Sequence, residues 1–181
     1  MRHLTSADYR RMPWRNGGGT TTEIAIAAVP GERFLHRVSI ADVETDGPFS
    51  RFEGYDRHIM LVSGAGMTLE CGAHGRIELR APFEPRFFSG DWDVTGTLVS
   101  GPVRDFNVIV DRARVTATLE TRRLDERATI ACGEGSSCLV HVLEGNLMGV
   151  AEGDTLVADV SFVVVPDGIA RVAIVSLCLV R

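Results

Sequence analysis

Lysine is missing from this chain: all 19 basic side chains are arginines. Without lysine there is no Schiff-base nucleophile and no phosphate-cradling P-loop, which needs one. There is no basic block either, and the net charge is −5, so no nucleic-acid partner is expected. Cysteine is scarce. Cys71, Cys132, Cys138 and Cys178 contain no Cys-x-x-Cys pair, which excludes the usual zinc and small disulfide frameworks. Cys138 and Cys178 sit in apolar runs and read as small buried hydrophobes. No apolar run approaches the roughly 20 residues of a membrane span. Met1–Asp8 has no apolar core of the kind a secretory signal needs. A cytoplasmic protein without a membrane partner is expected. A Gly-x-Ser-x-Gly elbow is absent, and no amphipathic helix longer than two turns can be drawn.

What is present is unusual in one place. Met12 to Glu23 reads Met-Pro-Trp-Arg-Asn-Gly-Gly-Gly-Thr-Thr-Thr-Glu. Three consecutive glycines, Gly17 to Gly19, permit positive φ and close approach of another group. The following Thr20–Ile26 is rich in β-branched residues, so the loop opens a strand and not a helix. That removes the dinucleotide-type reading, in which a helix N-terminus holds the phosphate. In an extended chain Thr22, Ile24 and Ile26 share one side, and Thr21, Glu23 and Ala25 the other.

These residues carry a resemblance. Pro13–Thr20 with Glu23 resembles the signature of the HutD/Ves family. The same pattern continues in Arg37–Ala41, in Asp46–Ser50 through Gly54–Arg57, and in Gly101-Pro102 with Asp105-Phe106-Asn107. The match spans residues 12 to 107 in the family's order and loosens beyond residue 110.

Other expectations come from the chain itself. Ser6–Arg11 is expected to form one helical turn capped by Ser6 and closed by Pro13. Strands are expected at Thr20–Ala28, ended by Pro30-Gly31, and at Phe34–Val43, where Arg37, Ser39 and Ala41 share a face that is either solvated or lines a cavity. Arg57–Ser63, Met67–Cys71, Arg76–Leu79, Leu98-Val99 and Phe106–Val110 follow. Val115–Leu119, Leu139–Leu143, Thr155–Asp159, Phe162–Val165 and Ala173–Val180 continue the series. Pro82 and Pro85 suit an edge or a bend. Short strands between turn signals predict an all-β sandwich or barrel. A faint repeat relates His58–Met67 to Leu139–Met148, and Ser89-Gly90-Asp91 to Glu152-Gly153-Asp154. That cadence is similar to a cupin barrel repeated twice. The family resemblance implies the same: one bicupin unit over residues 1–181, two fused cupin-like (RmlC-type) β-barrels or jelly rolls, the first about 12–111 and the second about 112–181.

For chemistry, His3, His36, His58, His74 and His141 are scattered singly, without the His-x-His and glutamate set of metal-binding cupins, so no metal and no cofactor is expected. Anion recognition fits better, because arginine presents a planar fork to a carboxylate. Arg57 is the first choice and Arg37 the second; the alternative is that either pairs structurally with Glu23, Asp46 or Asp56. Asn16, Asn107 and Thr20 can donate and accept toward an amide or formyl group, and Trp14 offers an apolar wall. The N–H groups of Gly17, Gly18 and Gly19 point at the ligand or, alternatively, the glycines allow a tight crossing of strands. Ser39 and Glu23 complete the candidate set. The resemblance implies a non-catalytic protein associated with histidine utilisation or a stress response that binds a small acidic metabolite such as N-formylglutamate. A rival is a metal-free cupin isomerase or hydrolase of a polar carboxylate, with Glu23 or Asp105 as general base. A third reading is a scaffold whose barrel face mediates a homodimer.

Overall fold

Runs of β-branched and aromatic residues broken by Gly, Pro and Asp fold as short antiparallel strands. The computed structural model describes residues 1–28, 31 and 33–180. In chain order the strands are β1 (Arg2–Leu4), β2 (Arg10–Pro13), β3 (Gly19–Ala27), β4 (His36–Val43), β5 (Gly47–Pro48) and β6 (Tyr55–Ser63). Then come β7 (Met67–Glu70), β8 (Arg76–Leu79), β9 (Arg86–Ser89), β10 (Thr95–Leu98) and β11 (Val103–Asp111). The last six are β12 (Val115–Leu124), β13 (Ala128–Ile130), β14 (Ser136–Leu147), β15 (Thr155–Ala158), β16 (Phe162–Val164) and β17 (Pro166–Leu179). The all-β class is as expected.

The chain divides into two units, residues 10–113 and residues 1–9 with 114–181. The first nine residues therefore belong with the C-terminal half, because β1 pairs with β15, Arg2 opposite Val157. In the unit of residues 10–113, a six-stranded sheet runs β2-β3-β4-β11-β6-β9 and a four-stranded sheet runs β5-β10-β7-β8. Ala41, Val43, Ile59 and Leu61 of the larger sheet share one buried cluster with Met67, Leu69 and Leu79 of the smaller. The other unit has a five-stranded sheet, β1-β15-β14-β17-β12, and a β13-β16 pair. Its core joins Val140, Val142, Val172 and Ile174 to Ile130 and Val164.

The expected closed barrels are not formed: among the described residues each unit has open sheets whose edge strands do not pair with one another. The edges are short and several carry proline, which cannot donate to a ladder. Pro13 ends β2, Pro48 ends β5, and Pro82 and Pro85 separate the edge strands β8 and β9.

Three local expectations are corrected. Ser6–Arg11 is not a helical turn: the turn is closed by Asp8 N–H donating to the Thr5 carbonyl (2.9 Å), and the Asp8 carboxylate accepts from the Thr5 N–H (2.9 Å). Arg10 and Arg11 are left to pair with Glu23 and Thr22 in β2–β3. Strict alternation in β3 fails at Ile24, where a bulge lies between Glu23 and Ala25; Ile24 is buried but Ile26 is 44% exposed. The two halves of the repeat also differ. Gly64 and Gly66 join β6 to β7, whereas Gly145 lies inside β14 with φ +72°, where an added Cβ would stand 2.3 Å from the Ile169 carbonyl oxygen of β17. Pro30, expected with Gly31 to end the Thr20–Ala28 strand, lies outside the described residues.

The triglycine loop shows why its glycines are unequal. Gly17 has φ +71° with open space around its Cβ position, so alanine there meets only backbone strain. Gly19 has an ordinary φ, but a Cβ would stand 2.3 Å from the Asp42 carbonyl oxygen and 3.2 Å from the Trp14 ring. Gly17→Ala is expected to destabilise by about 1–2 kcal/mol, and Gly19→Ala by more, at the upper end of the roughly 1–3 kcal/mol typical of overpacking. Urea denaturation of both variants orders the two.

In the second unit a buried polar chain runs from His141 Nδ1 to Thr155 Oγ1 (2.9 Å) and on to the Tyr9 hydroxyl (2.8 Å), which also donates to the Gly153 carbonyl (2.9 Å). Burial lowers His141 from its ordinary 6.5 to about 4. A depressed folded-state value means the stabilisation is whole above the unfolded value and is lost as pH falls from about 6.5 through 4. Relative to His141→Asn, the wild type should lose on the order of 3 kcal/mol of stability over that window, read from urea unfolding of the two proteins at matched pH.

Candidate functional site

The interior face of the six-stranded sheet changes character along its strands. Register places Arg37 of β4, Ile109 of β11 and Arg57 of β6 in one row. The next row is Ser39, Asn107, Ile59, and the next Ala41, Asp105, Leu61. Side chains alternate across a strand, so these rows share a face. Polar groups at one end give way to the apolar core at the other.

At the polar end lies a cavity of about 440 Å³. Arg37, Ser39, Arg57 and Asn107 form its sheet wall, Trp14, Asn16 and Thr21 come from the β2–β3 hairpin, and Phe49 and Phe52 from the segment between β5 and β6. Strand β4 thus turns its Arg37–Ser39–Ala41 face to the cavity and not to solvent. The Trp14 indole N–H donates to Thr21 Oγ1 (2.8 Å), which fixes the ring in the cavity wall.

Arg57 is only 5% exposed. Its Nη1 donates to the Ser50 carbonyl (3.1 Å) and its Nη2 to Asn107 Oδ1 (3.2 Å), both neutral oxygens. Its guanidinium carbon stands 4.7 Å from the Phe88 ring centroid, 5.4 Å from that of Phe52 and 5.5 Å from that of Phe49. The buried Nε of Arg57, that of Arg37 and Asp105 Oδ2 have no hydrogen-bond partner. Burial pulls the Arg57 guanidinium down to about 10; Asp105 opposes that shift and Arg37 adds to it. Burial also lowers Arg37, against the charge of Glu23.

Asp105 is fully buried between Ala41 and Leu61, and its Oδ1 accepts from Asn107 Nδ2. Loss of hydration in that apolar row raises its carboxyl from 3.8 to about 7, with the Asn107 hydrogen bond and the Arg57 charge restraining the rise.

The structural pairings considered for the arginines are not the ones found. Asp56 pairs with Arg112 (2.9 Å), and Asp46 accepts from the Leu98 N–H (2.8 Å). Among the described residues neither Arg37 nor Arg57 has a carboxylate within ion-pair distance.

Of the residues singled out in the sequence, Trp14, Asn16, Ser39, Arg57 and Asn107 meet in this one cavity wall. Gly17, Gly18, Gly19, Thr20 and Glu23 do not line it. Gly17 N–H is taken by the Trp14 carbonyl (3.1 Å) and Gly18 N–H by Asn16 Oδ1 (3.0 Å). These two N–H groups close the loop itself and are not turned to a ligand. Thr20 falls on the strand face opposite Thr21, and Glu23 sits next to the bulge, across from Ser39. Phe49 and Phe52 were not selected from sequence. Their signal was the family-like stretch running from Asp46 to Arg57, which holds both.

Among the described residues no group of three His, Cys, Asp or Glu side chains converges as a metal site, and no helix is long and apolar enough to cross a membrane.

A family model for HutD matches residues 6–172 of this chain. The chain belongs to the HutD/Ves family. A Pseudomonas putida relative, an uncharacterised 21.2 kDa protein in the hutC 3′ region, is 43% identical over 118 residues, 65% of this chain and 62% of that protein. The aligned part thus spans under two thirds of that relative. Protein Ves of Citrobacter koseri is 37% identical over 142 residues, 76% of this chain and 72% of its own. The structure of HutD from Pseudomonas fluorescens SBW25 in a formate condition superposes with a TM-score of 0.85 at 33% identity, covering 99% of both chains. A cupin 2 conserved barrel protein of Leptotrichia buccalis, 9% identical with a TM-score of 0.57 over 95% of this chain and 96% of that one, shares only a cupin-like fold with this HutD/Ves chain.

Asp105 yields a pH test. Its folded-state value lies above the unfolded one, so its favourable contribution is whole below about 3.8 and is lost as pH rises through about 7. Urea unfolding of the wild type and Asp105→Asn at matched pH from about 5 to 8.5 should show the wild type losing stability relative to the variant as pH rises.

Proposed function

We propose that this protein binds a small acidic metabolite in the cavity of the unit of residues 10–113, with Arg57 as the carboxylate anchor and without catalysis. One observation carries the reading: a 95% buried arginine lines a cavity while donating only to neutral oxygens, and its buried Nε has no partner. A desolvated cation without a protein counter-charge favours an anionic ligand, and arginine binds carboxylates through two parallel hydrogen bonds. The volume of about 440 Å³ suits a small metabolite. The wall offers guanidinium, amide, hydroxyl and aromatic groups, a donor set for a polar organic anion and not for a metal ion.

N-formylglutamate is the named ligand of this reading: a carboxylate for Arg57, and amide or formyl atoms for Asn16 and Asn107. The P. putida relative's place in the hutC 3′ region and the formate condition of the P. fluorescens HutD structure accord with it. In this view the protein tempers flux through histidine utilisation, or a stress response, from the cytoplasm, as a fusion of two cupin-type halves, and a homodimer is compatible with it.

One observation favours an enzyme instead. A carboxyl raised to about 7 is suited to general-base work near neutral pH. Against it, Asp105 is fully buried, does not line the cavity, and is engaged by Asn107. Glu23, the other candidate base, is also outside the wall.

Calorimetry with N-formylglutamate should show binding to the wild type and a loss of at least about 30-fold in Arg57→Ala, the scale for truncating one side of a buried charge pair. NMR of the same mixtures should show the ligand unconverted. Unchanged affinity in that folded variant removes Arg57 from the site, and turnover replaces the binder with the enzyme.

A further inference from the structure

The reading above uses one arginine, but the cavity wall holds two. Arg37 and Arg57 stand opposite the same residue, Ile109, on either side of strand β11. They are therefore two strand spacings apart, about 10 Å at the backbone. Their side chains converge on one aromatic ring: the guanidinium carbon of Arg37 is 5.2 Å from the Phe52 centroid and that of Arg57 is 5.4 Å. Phe34 gives Arg37 a second ring at 5.7 Å.

Neither cation has a carboxylate at ion-pair distance among the described residues, although the charge of Glu23 acts on the half-buried Arg37. Each has a buried Nε with no partner, and each lines the cavity. The Arg57 side chain donates only to the Ser50 carbonyl and Asn107 Oδ1, and the Arg37 side chain makes no hydrogen bond among the described residues. The ring faces hold them through their quadrupoles, which orients a guanidinium without neutralising it. One carboxylate compensates one of these charges and leaves the other desolvated and repelled. Two carboxylates on one short carbon chain compensate both, with Phe52 against the chain between them.

We propose that the cavity is a dianion site: Arg57 takes one carboxylate, Arg37 the second, and Phe52 is the positioning residue that fixes their separation, so that short dicarboxylates are selected over monocarboxylates of equal length. This rests on the carboxylate-binding reading of the same cavity. It adds a partner for the second carboxylate, which N-formylglutamate also carries, and roles for Arg37 and Phe52.

Succinate against butyrate, and glutarate against valerate, are the matched probes, titrated into the full chain by calorimetry. The diacid of each pair should bind the wild type about 10- to 100-fold more tightly, the scale of one further hydrogen-bonded charge pair. Arg37→Ala should bring the diacid down toward the monoacid, weakening the diacid about 10-fold more than the monoacid. Arg57→Ala should weaken both. Phe52→Leu, which keeps apolar bulk but removes the ring, should lower the diacid-to-monoacid ratio, a quantity that a general loss of stability would not move. Thermal melts of the variants establish that each is folded. Equal affinity for diacid and monoacid in the wild type, or an equal loss of both in Arg37→Ala, overturns the dianion site and leaves the carboxylate binder standing. A wild type that binds neither series overturns both.

Discussion

Two arginines held in the wall of one cavity by rings and neutral oxygens are the constraint on which this unit is organised. A cation taken out of water normally acquires a carboxylate, because the Coulombic return offsets much of the lost hydration. Here most acids near the six-stranded sheet are committed elsewhere, and Glu23 acts on Arg37 through its charge alone. Asp56 and Asp91 hold Arg112, Asp42 holds Arg104, and Asp46 caps a backbone N–H. The one carboxyl in the interior rows, Asp105, is driven toward neutrality by the apolar row that contains it. The positive field of the cavity therefore remains largely uncancelled by the protein.

The arrangement of the sheet follows from where that field can be tolerated. The rows Ala41–Asp105–Leu61 and Val43–Val103 belong to the closed core, and the row Arg37–Ile109–Arg57 lies where the sandwich opens. Asn107 stands between the two regimes. Its amide nitrogen donates to Asp105 and its oxygen accepts from Arg57, so the amide orientation is fixed from both sides. Exchanging it for aspartate would place a competing anion on Arg57, and exchanging it for leucine would leave both neighbours without their partner. An amide is the side chain that links an acid to a cation without neutralising either.

Much of this was legible in the sequence and some was not, for physical reasons. Period-two alternation over Arg37–Ala41 identified a polar strand face, and the family-like run ending at Arg57 marked the second arginine. Alternation cannot tell a solvated face from a cavity face, because both are polar; only the packing of Phe49 and Phe52 over it decides. The triglycine loop was legible as a backbone feature but its purpose was not. Gly19 is required by the Asp42 carbonyl of the neighbouring strand, a contact 23 residues away in the chain. The bulge at Ile24 was hidden for a related reason: register is a property of a strand pair, and the sequence of one strand does not contain it. Barrel closure was over-read from the strand cadence, since short strands bounded by proline leave open edges equally well.

The aromatic setting of the arginines also bears on how the site trades stability for recognition. Were Arg57 paired with an internal carboxylate, the fold would gain and an incoming anion would have to displace that partner. Rings impose a weaker and different bias. A guanidinium over a π-face keeps its edge donors free in the plane, where a carboxylate docks, so the face that orients the cation does not compete for the atoms that bind the ligand. Phe88, Phe52 and Phe49 around Arg57, and Phe34 and Phe52 around Arg37, supply that support on both cations at once. Sharing Phe52 also ties the position of one guanidinium to that of the other, so in the proposed dianion site a ligand would meet two donors at a set spacing and not two independently mobile charges. Preorganisation of this kind reduces the ordering cost of binding, which is the advantage the proposed site would draw from a ring, and not an acid, between the two arginines.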